Sequence, residues 1–149
     1  MRYLTIIFMS FLLYACDSAD KSVEDFAKKT IAESQYAQGN PKFSNIYTVR
    51  WQGVVNNKVN YGNVAVCGEM ETRDTNDKKI EKRRFVVELS DNDQTSSPNV
   101  KSVNIEREDL KRAVLSTKST SNSESLFELL YWNMRCVDQQ HQKTFTGLH

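Results

Sequence analysis

The chain lacks nearly every feature that announces an activity. A membrane-spanning helix needs roughly 17–25 apolar residues, and the apolar stretch Leu4–Tyr14 is eleven residues long. Neither charge is in surplus: 20 lysines and arginines stand against 19 aspartates and glutamates, which leaves no field to steer a nucleic acid. None of the three cysteines lies in a C-x-x-C pair, so a zinc site or thioredoxin-type exchange has no support. There is no G-x-S-x-G, no H-E-x-x-H and no phosphate-binding loop. His141 and His149 lie in or near a polar tail, and neither has a neighbour spaced to make a nucleophile–base pair. No internal repeat is present. These absences argue against an enzyme, and no catalytic residue, metal or cofactor is expected.

What is present begins at the amino terminus. Arg2 gives a charged start, Leu4–Tyr14 an apolar run, and Ala15 a small residue before Cys16. That is the layout of a secretory signal and not of a spanning helix. The ending Leu13-Tyr14-Ala15-Cys16 resembles the lipobox of bacterial lipoproteins. The resemblance implies a signal peptide over residues 1–15, cut before Cys16, and fatty acylation of Cys16. Each buried methylene of such a lipid adds about 0.8 kcal/mol of membrane affinity, and two chains anchor stably. Asp17 resembles the residue that holds enterobacterial lipoproteins at the inner membrane. The implied location is the bacterial cell envelope, facing the periplasm, with the inner membrane favoured over the outer. The alternative is an ordinary signal cut near Ala15 or Ala19, with Cys16 removed or left as a spare thiol.

Removing residues 1–15 from 149 leaves 134, enough for one domain with a real core, and 19 basic side chains against 19 acidic ones. With Cys16 acylated, Cys67 and Cys136 remain, a pairable number in an oxidising periplasm. Two buried free thiols are the alternative.

Residues 16–21 read as the lipidated cysteine and a short polar tether, reaching roughly 17 Å if extended. Ser22–Ser34 reads as a helix capped by Ser22, with Val23, Phe26, Ala27, Thr30 and Ile31 on one apolar face. Gly39-Asn40-Pro41 ends it. Tyr47, Val49, Trp51 and Gly53 then alternate with polar neighbours at the period of a strand. Asn56-Asn57 suits a tight hairpin turn. Val59–Thr72 continues extended, Asp74–Asp77 is a second turn, and Ile80–Leu89 and Val100–Ile105 are further strands, separated by the polar loop Ser90–Pro98. Glu106–Leu115 suits a short helix or turn and Ser116–Ser123 a second polar loop. Glu124–Gln140 is predicted as the strongest helix, capped by Ser123 and carrying Leu126, Phe127, Leu129, Leu130, Met134 and Val137. Residues 142–149 read as a loose tail. The expected fold is α+β: one domain over 22–141, with an N-terminal helix, an antiparallel meander of three to four strands, a C-terminal helix, the helices on one face, and one disulfide.

Phe43-Ser44-Asn45, Val66-Cys67-Gly68-Glu69 and Arg84-Phe85-Val86 are similar to a pattern in small uncharacterised exported proteins of bacteria and their mobile elements. That resemblance spans about a third of the chain and implies no activity. Glu69 and Glu71 share a strand face as glycosidase carboxylates do, which keeps an envelope hydrolase as an alternative; two solvated glutamates is the simpler reading. Lys78, Lys79, Lys82, Arg83 and Arg84 form the densest basic cluster, with the first four as the candidates for headgroup contact. Contact with anionic headgroups competes there with a strand face neutralised by Glu69, Glu71, Asp74 and Asp77 across the sheet. Trp132, Tyr131 and Tyr61 are candidate partner-binding residues, while Trp51 reads as core. The sequence thus points to a non-enzymatic, protein-binding lipoprotein with an envelope protein as partner and no nucleic acid. Immunity to a toxin, or exclusion of a phage or plasmid, is the alternative within binding.

Overall fold

The computed structural model of the protein describes residues 14–34, 40–55, 58–73, 80–90, 98–114 and 123–148. Most of the expected signal, the turns at Asn56-Asn57 and Asp74–Asp77, the interiors of both polar loops, Lys78, Lys79 and His149 lie outside the described residues. So does the side chain of Tyr61.

Strands β1 (Lys42–Val55), β2 (Lys58–Arg73), β3 (Ile80–Ser90) and β4 (Asn99–Ile105) pair antiparallel in chain order. With helices and a Cys67–Cys136 disulfide, this is an α+β fold. Two residues join β1 to β2, since Val55 faces Lys58 across the hairpin. Alternate residues of a strand point to opposite faces, and both faces of this sheet are buried. Val64, Val66, Met70, Phe85, Val87 and Leu89 meet Val23, Ala27 and Ile31 of α1 (Tyr14–Ala32). Ala65, Cys67 and Val86 turn the other way, toward Phe127, Trp132 and Cys136. The helices therefore lie on two faces and not on one. Continuous apolar runs such as Val64-Ala65-Val66-Cys67 and Phe85-Val86-Val87 belong to strands covered on both sides.

The helix α1 starts eight residues before the expected cap at Ser22. Residues 17–21 are therefore helical and not an extended tether, and they span about 7 Å at a 1.5 Å rise. No helix among the described residues is long and apolar enough to cross a membrane. Arg50 on β1 fixes the start of α1 to the sheet by gripping Asp20 at 2.8 Å.

The segments Phe43-Ser44-Asn45, Val66-Cys67-Gly68-Glu69 and Arg84-Phe85-Val86 pack as one unit. Ser44 faces Glu69, and Gly68 faces Phe85. A Cβ on Gly68 would lie 2.8 Å from Phe85 Cζ, so the missing side chain is what lets the fully buried ring cross the strand. Phe43 meets that ring edge-on at 5.8 Å. Register slips between Ser44 and Tyr47, and Asn45 takes φ 51°, a left-handed conformation that asparagine tolerates. From there its amide donates to Glu69 Oε2.

Beyond β4 the chain makes a 3-10 turn (Glu108–Leu110) and a helical segment over 126–135, shorter than the expected Glu124–Gln140. Its cap is Ser125 and not Ser123. Ser125 Oγ accepts from the Glu128 amide at 3.1 Å, and Glu128 Oε2 accepts from the Ser125 amide at 2.8 Å, a reciprocal capping box. Its centre, Glu128–Trp132, is π-helical. The wider turn brings Phe127 and Trp132, five apart, onto the same side, with ring centroids 6.3 Å apart.

Candidate functional site

Residues 123–148 form a layer over the second face of the sheet, and one arginine pins it there. Arg84 leaves β3 on that face. Its Nε and Nη2 donate to Glu106, its Nη1 to Glu128 at 3.0 Å and Thr144 at 2.8 Å, and Nη2 also to Thr146 at 2.9 Å. Its guanidinium lies 5.2 Å from the Trp132 ring centroid and 5.5 Å from that of Phe127. A guanidinium has five N–H donors, and these acceptors occupy them, so Arg84 has no proton left for an incoming anion.

Glu128 is the other half of this lock. Its side chain has no exposure to solvent. Burial pushes its carboxyl upward, but the Ser125 amide, the Thr144 hydroxyl, the Thr146 amide and Arg84 outweigh that and hold it at about 2. Arg84 is likewise driven down by burial and held above its ordinary value by Glu106 and Glu128.

Residues 142–148 are not a loose tail. The Asn133 side chain bonds both the Thr144 carbonyl and the Thr144 amide, at 2.9 and 3.0 Å. Gly147 N donates to Ser123 O, Leu148 N to Lys111 O, and Ala113 N to Leu148 O, each at 2.9 Å. A Cβ on Gly147 would sit 2.8 Å from Ala113 Cα and 2.9 Å from Ser123 O, so only glycine passes through that gap.

The disulfide joins this layer to the central strand β2, with Cα atoms 5.9 Å apart. Tyr47 closes over it. Its hydroxyl donates to the Cys136 carbonyl at 2.8 Å, and its ring stacks on His141 at 3.6 Å. Burial, then Asp138, raise the Tyr47 phenol far above its usual value against a smaller opposing pull from Arg84. His141 Nδ1 lies 2.9 Å from Asp138 Oδ1, and the same carboxylate caps the Gln140 and His141 amides. That contact closes a local turn.

The other side of the layer is bare. Leu129, Leu130 and Met134 stand exposed, Met134 at 60%. The helix was predicted to carry them as one apolar set with Phe127, but a single sheet face can cover only one side of it. Phe145 and Leu148 are also exposed, so five of the seven large exposed apolar side chains among the described residues fall between positions 129 and 148.

The expected site residues divide. Trp132 is only 7% exposed and packs in the second core, with Arg84 against its ring. Tyr131 is half-buried and lines a small groove beside β4. Trp51 packs in the second core as expected, with Arg135 over its ring. Lys82 pairs with Glu69 at 2.8 Å, and Arg83 with Glu81. Cross-strand pairing thus meets the cluster's described lysine. Burial nudges the Glu69 carboxyl up, but Lys82 and Asn45 hold it below the usual range.

Sequence reasoning placed Arg84 only in a basic run and a strand pattern, and it missed Glu106, Glu128, Thr144 and Thr146. Only the Ser125-x-x-Glu128 spacing signalled any of them. An open cleft of about 500 Å³ lies between Lys82, Lys111, Trp132 and Thr146, with Arg84 in its wall. No protein-family model, curated protein or solved structure matches the chain.

Proposed function

We propose that the protein is a bacterial envelope lipoprotein, held at the membrane through acylated Cys16 and facing the periplasm, whose folded domain binds a protein partner without catalysing a reaction. The observation that carries the binding reading is the exposed set Leu129, Leu130 and Met134 on a rigid support. A disulfide, a capping box and a buried ion pair hold that segment, so its apolar face costs little further ordering when it docks. The membrane reading rests on Leu13-Tyr14-Ala15-Cys16, on Asp17 for the inner membrane, and on the pairing of the two other cysteines, which leaves Cys16 the odd thiol.

The test is a photo-crosslinking residue placed at Leu130 or Met134 of the full-length protein in intact envelopes. A discrete adduct is expected there and none from a probe at Lys29 on the outer side of α1. With the probe at Leu130, Met134→Glu should weaken the adduct, and with the probe at Met134, Leu130→Glu should do the same. Absence of any adduct, or turnover of cell-wall fragments by the purified protein, overturns the reading.

A further inference from the structure

Sulfur is scarce in this protein. Cys67 and Cys136 share the bridge, and Cys16 carries the lipid in the reading above. Of the four methionines, Met1 and Met9 fall in the proposed signal peptide. Two remain, and the fold treats them oppositely. Met70 on β2 is fully buried in the first core, with Val66 and Phe85. Met134 is 60% exposed, more than any other large apolar side chain among the described residues.

Met134 also stands where a change of polarity has consequences. It follows Leu130 by four residues in the helical segment 126–135, a spacing that puts two side chains on one face. The backbone beneath is fixed. Cys136 N donates to Trp132 O at 2.8 Å, and Arg135 bonds Glu88 at 3.0 Å while lying over the Trp51 ring. The Met134 side chain has no space to retreat inward, because Phe127, Trp132 and Cys136 fill the core on that side.

A thioether is soft and apolar, and its sulfoxide is polar. We infer that Met134 is an oxidation site at which hydrogen peroxide switches the docking face off. The sulfur lone pair attacks one peroxide oxygen, the O–O bond breaks and an S–O bond forms. The sulfur loses two electrons, and the second oxygen takes them and both protons and leaves as water. In solvent the new oxygen disturbs nothing in the fold. Under a docked partner it is a buried polar acceptor, which is costly without a hydrogen bond, and the side chains of Leu129 and Leu130 offer no donor. Methionine sulfoxide reductases, drawing electrons from a dithiol, reverse the change. This rests on the protein-binding reading and adds regulation of the same face.

The test uses the full-length protein in detergent micelles, with the photo-crosslinking residue at Leu130. It is treated with hydrogen peroxide, freed of oxidant and mixed with detergent-solubilised envelopes, so that only this chain is oxidised. Peptide mass spectrometry should show one added oxygen on Met134, gained at least tenfold faster than on Met70. The treated protein should keep its circular dichroism, leave a hydrophobic-interaction column earlier and form at least tenfold less adduct. Added reductases should restore elution and adduct together. In Met134→Leu, peroxide should not shift that variant's own elution position. Equal oxidation of Met134 and Met70 in the folded protein, a loss that the reductases do not reverse, or an elution shift that persists in Met134→Leu overturns the inference. An adduct that forms and survives oxidation of Met134 overturns the switch alone. No adduct even before peroxide overturns the docking reading and the switch with it.

Discussion

Glu128 concentrates the energetics of the second face in one carboxylate. Its folded value of about 2 lies below the unfolded carboxylate's 4.5, so the sign follows: the stabilisation is fully present above pH 4.5 and lost as pH falls through about 2. A gap of that size corresponds to roughly 3 kcal/mol. The unfolding free energy from urea titrations should fall by about that amount between pH 5 and pH 2 in the native protein. Glu128→Gln should be less stable at pH 7, by about 3–5 kcal/mol because Arg84 loses a buried partner, and should show a flatter acid limb. An unchanged limb in the variant would assign the acid sensitivity elsewhere. Arg84, for its part, shows why a basic run reads poorly by composition. Lys82, Arg83 and Arg84 are neighbours in sequence, yet Lys82 has a half-exposed side chain while that of Arg84 is 12% exposed between two glutamates.

At the scale of elements, the strands were legible because period two, turn residues and β-branched runs agree locally. Tyr47-x-Val49-x-Trp51 and Phe85-Val86-Val87 stand in strands where they were expected. The C-terminal layer was not legible because its logic is non-local. Thr144 and Thr146 look like tail residues until Arg84, 60 and 62 positions away, is beside them. Ser123 and Ser125 are equally good caps by composition, and only the glutamate three residues after Ser125 separates them. The all-round apolar character of 126–137 gave a helix without saying which side would remain bare. The cysteine pair was legible from arithmetic, and its weight can be measured. Closing a loop of about 70 residues stabilises by roughly 4 kcal/mol in the chain-entropy account. Cys67→Ala with Cys136→Ala should lower stability by up to that figure. It should also speed tryptic cleavage at the exposed Lys143, because residues 142–148 hang on the segment that the bridge fixes. An unchanged urea midpoint and cleavage rate would mean that Arg84 and Asn133 hold the layer unaided.

For the whole molecule, the division of the sheet into two faces decides how a tethered domain would sit. The first face is occupied by α1, whose start carries the proposed anchor, and the second face is left to the C-terminal layer. Asp20 meets Arg50, and Arg50 faces Val64 on β2. Lys82 faces Glu71, seven residues further along the same strand, about 23 Å away at the strand rise. A lipid on Cys16 would therefore hold the Arg50 end of the sheet near the bilayer and turn Lys82 and Arg83 away from it. That separation exceeds a Debye length of about 8 Å at physiological salt, so these cations should contribute little to membrane affinity. Cys16→Ser should move the protein from the membrane pellet to the soluble periplasmic fraction. Lys82→Ala with Arg83→Ala should leave it in the pellet, at low and at physiological salt alike. Membrane retention by Cys16→Ser would remove the anchor. Release by the lysine–arginine pair would mean that the far end of the sheet meets the headgroups, which requires α1 to leave the face on which Val23, Ala27 and Ile31 are buried.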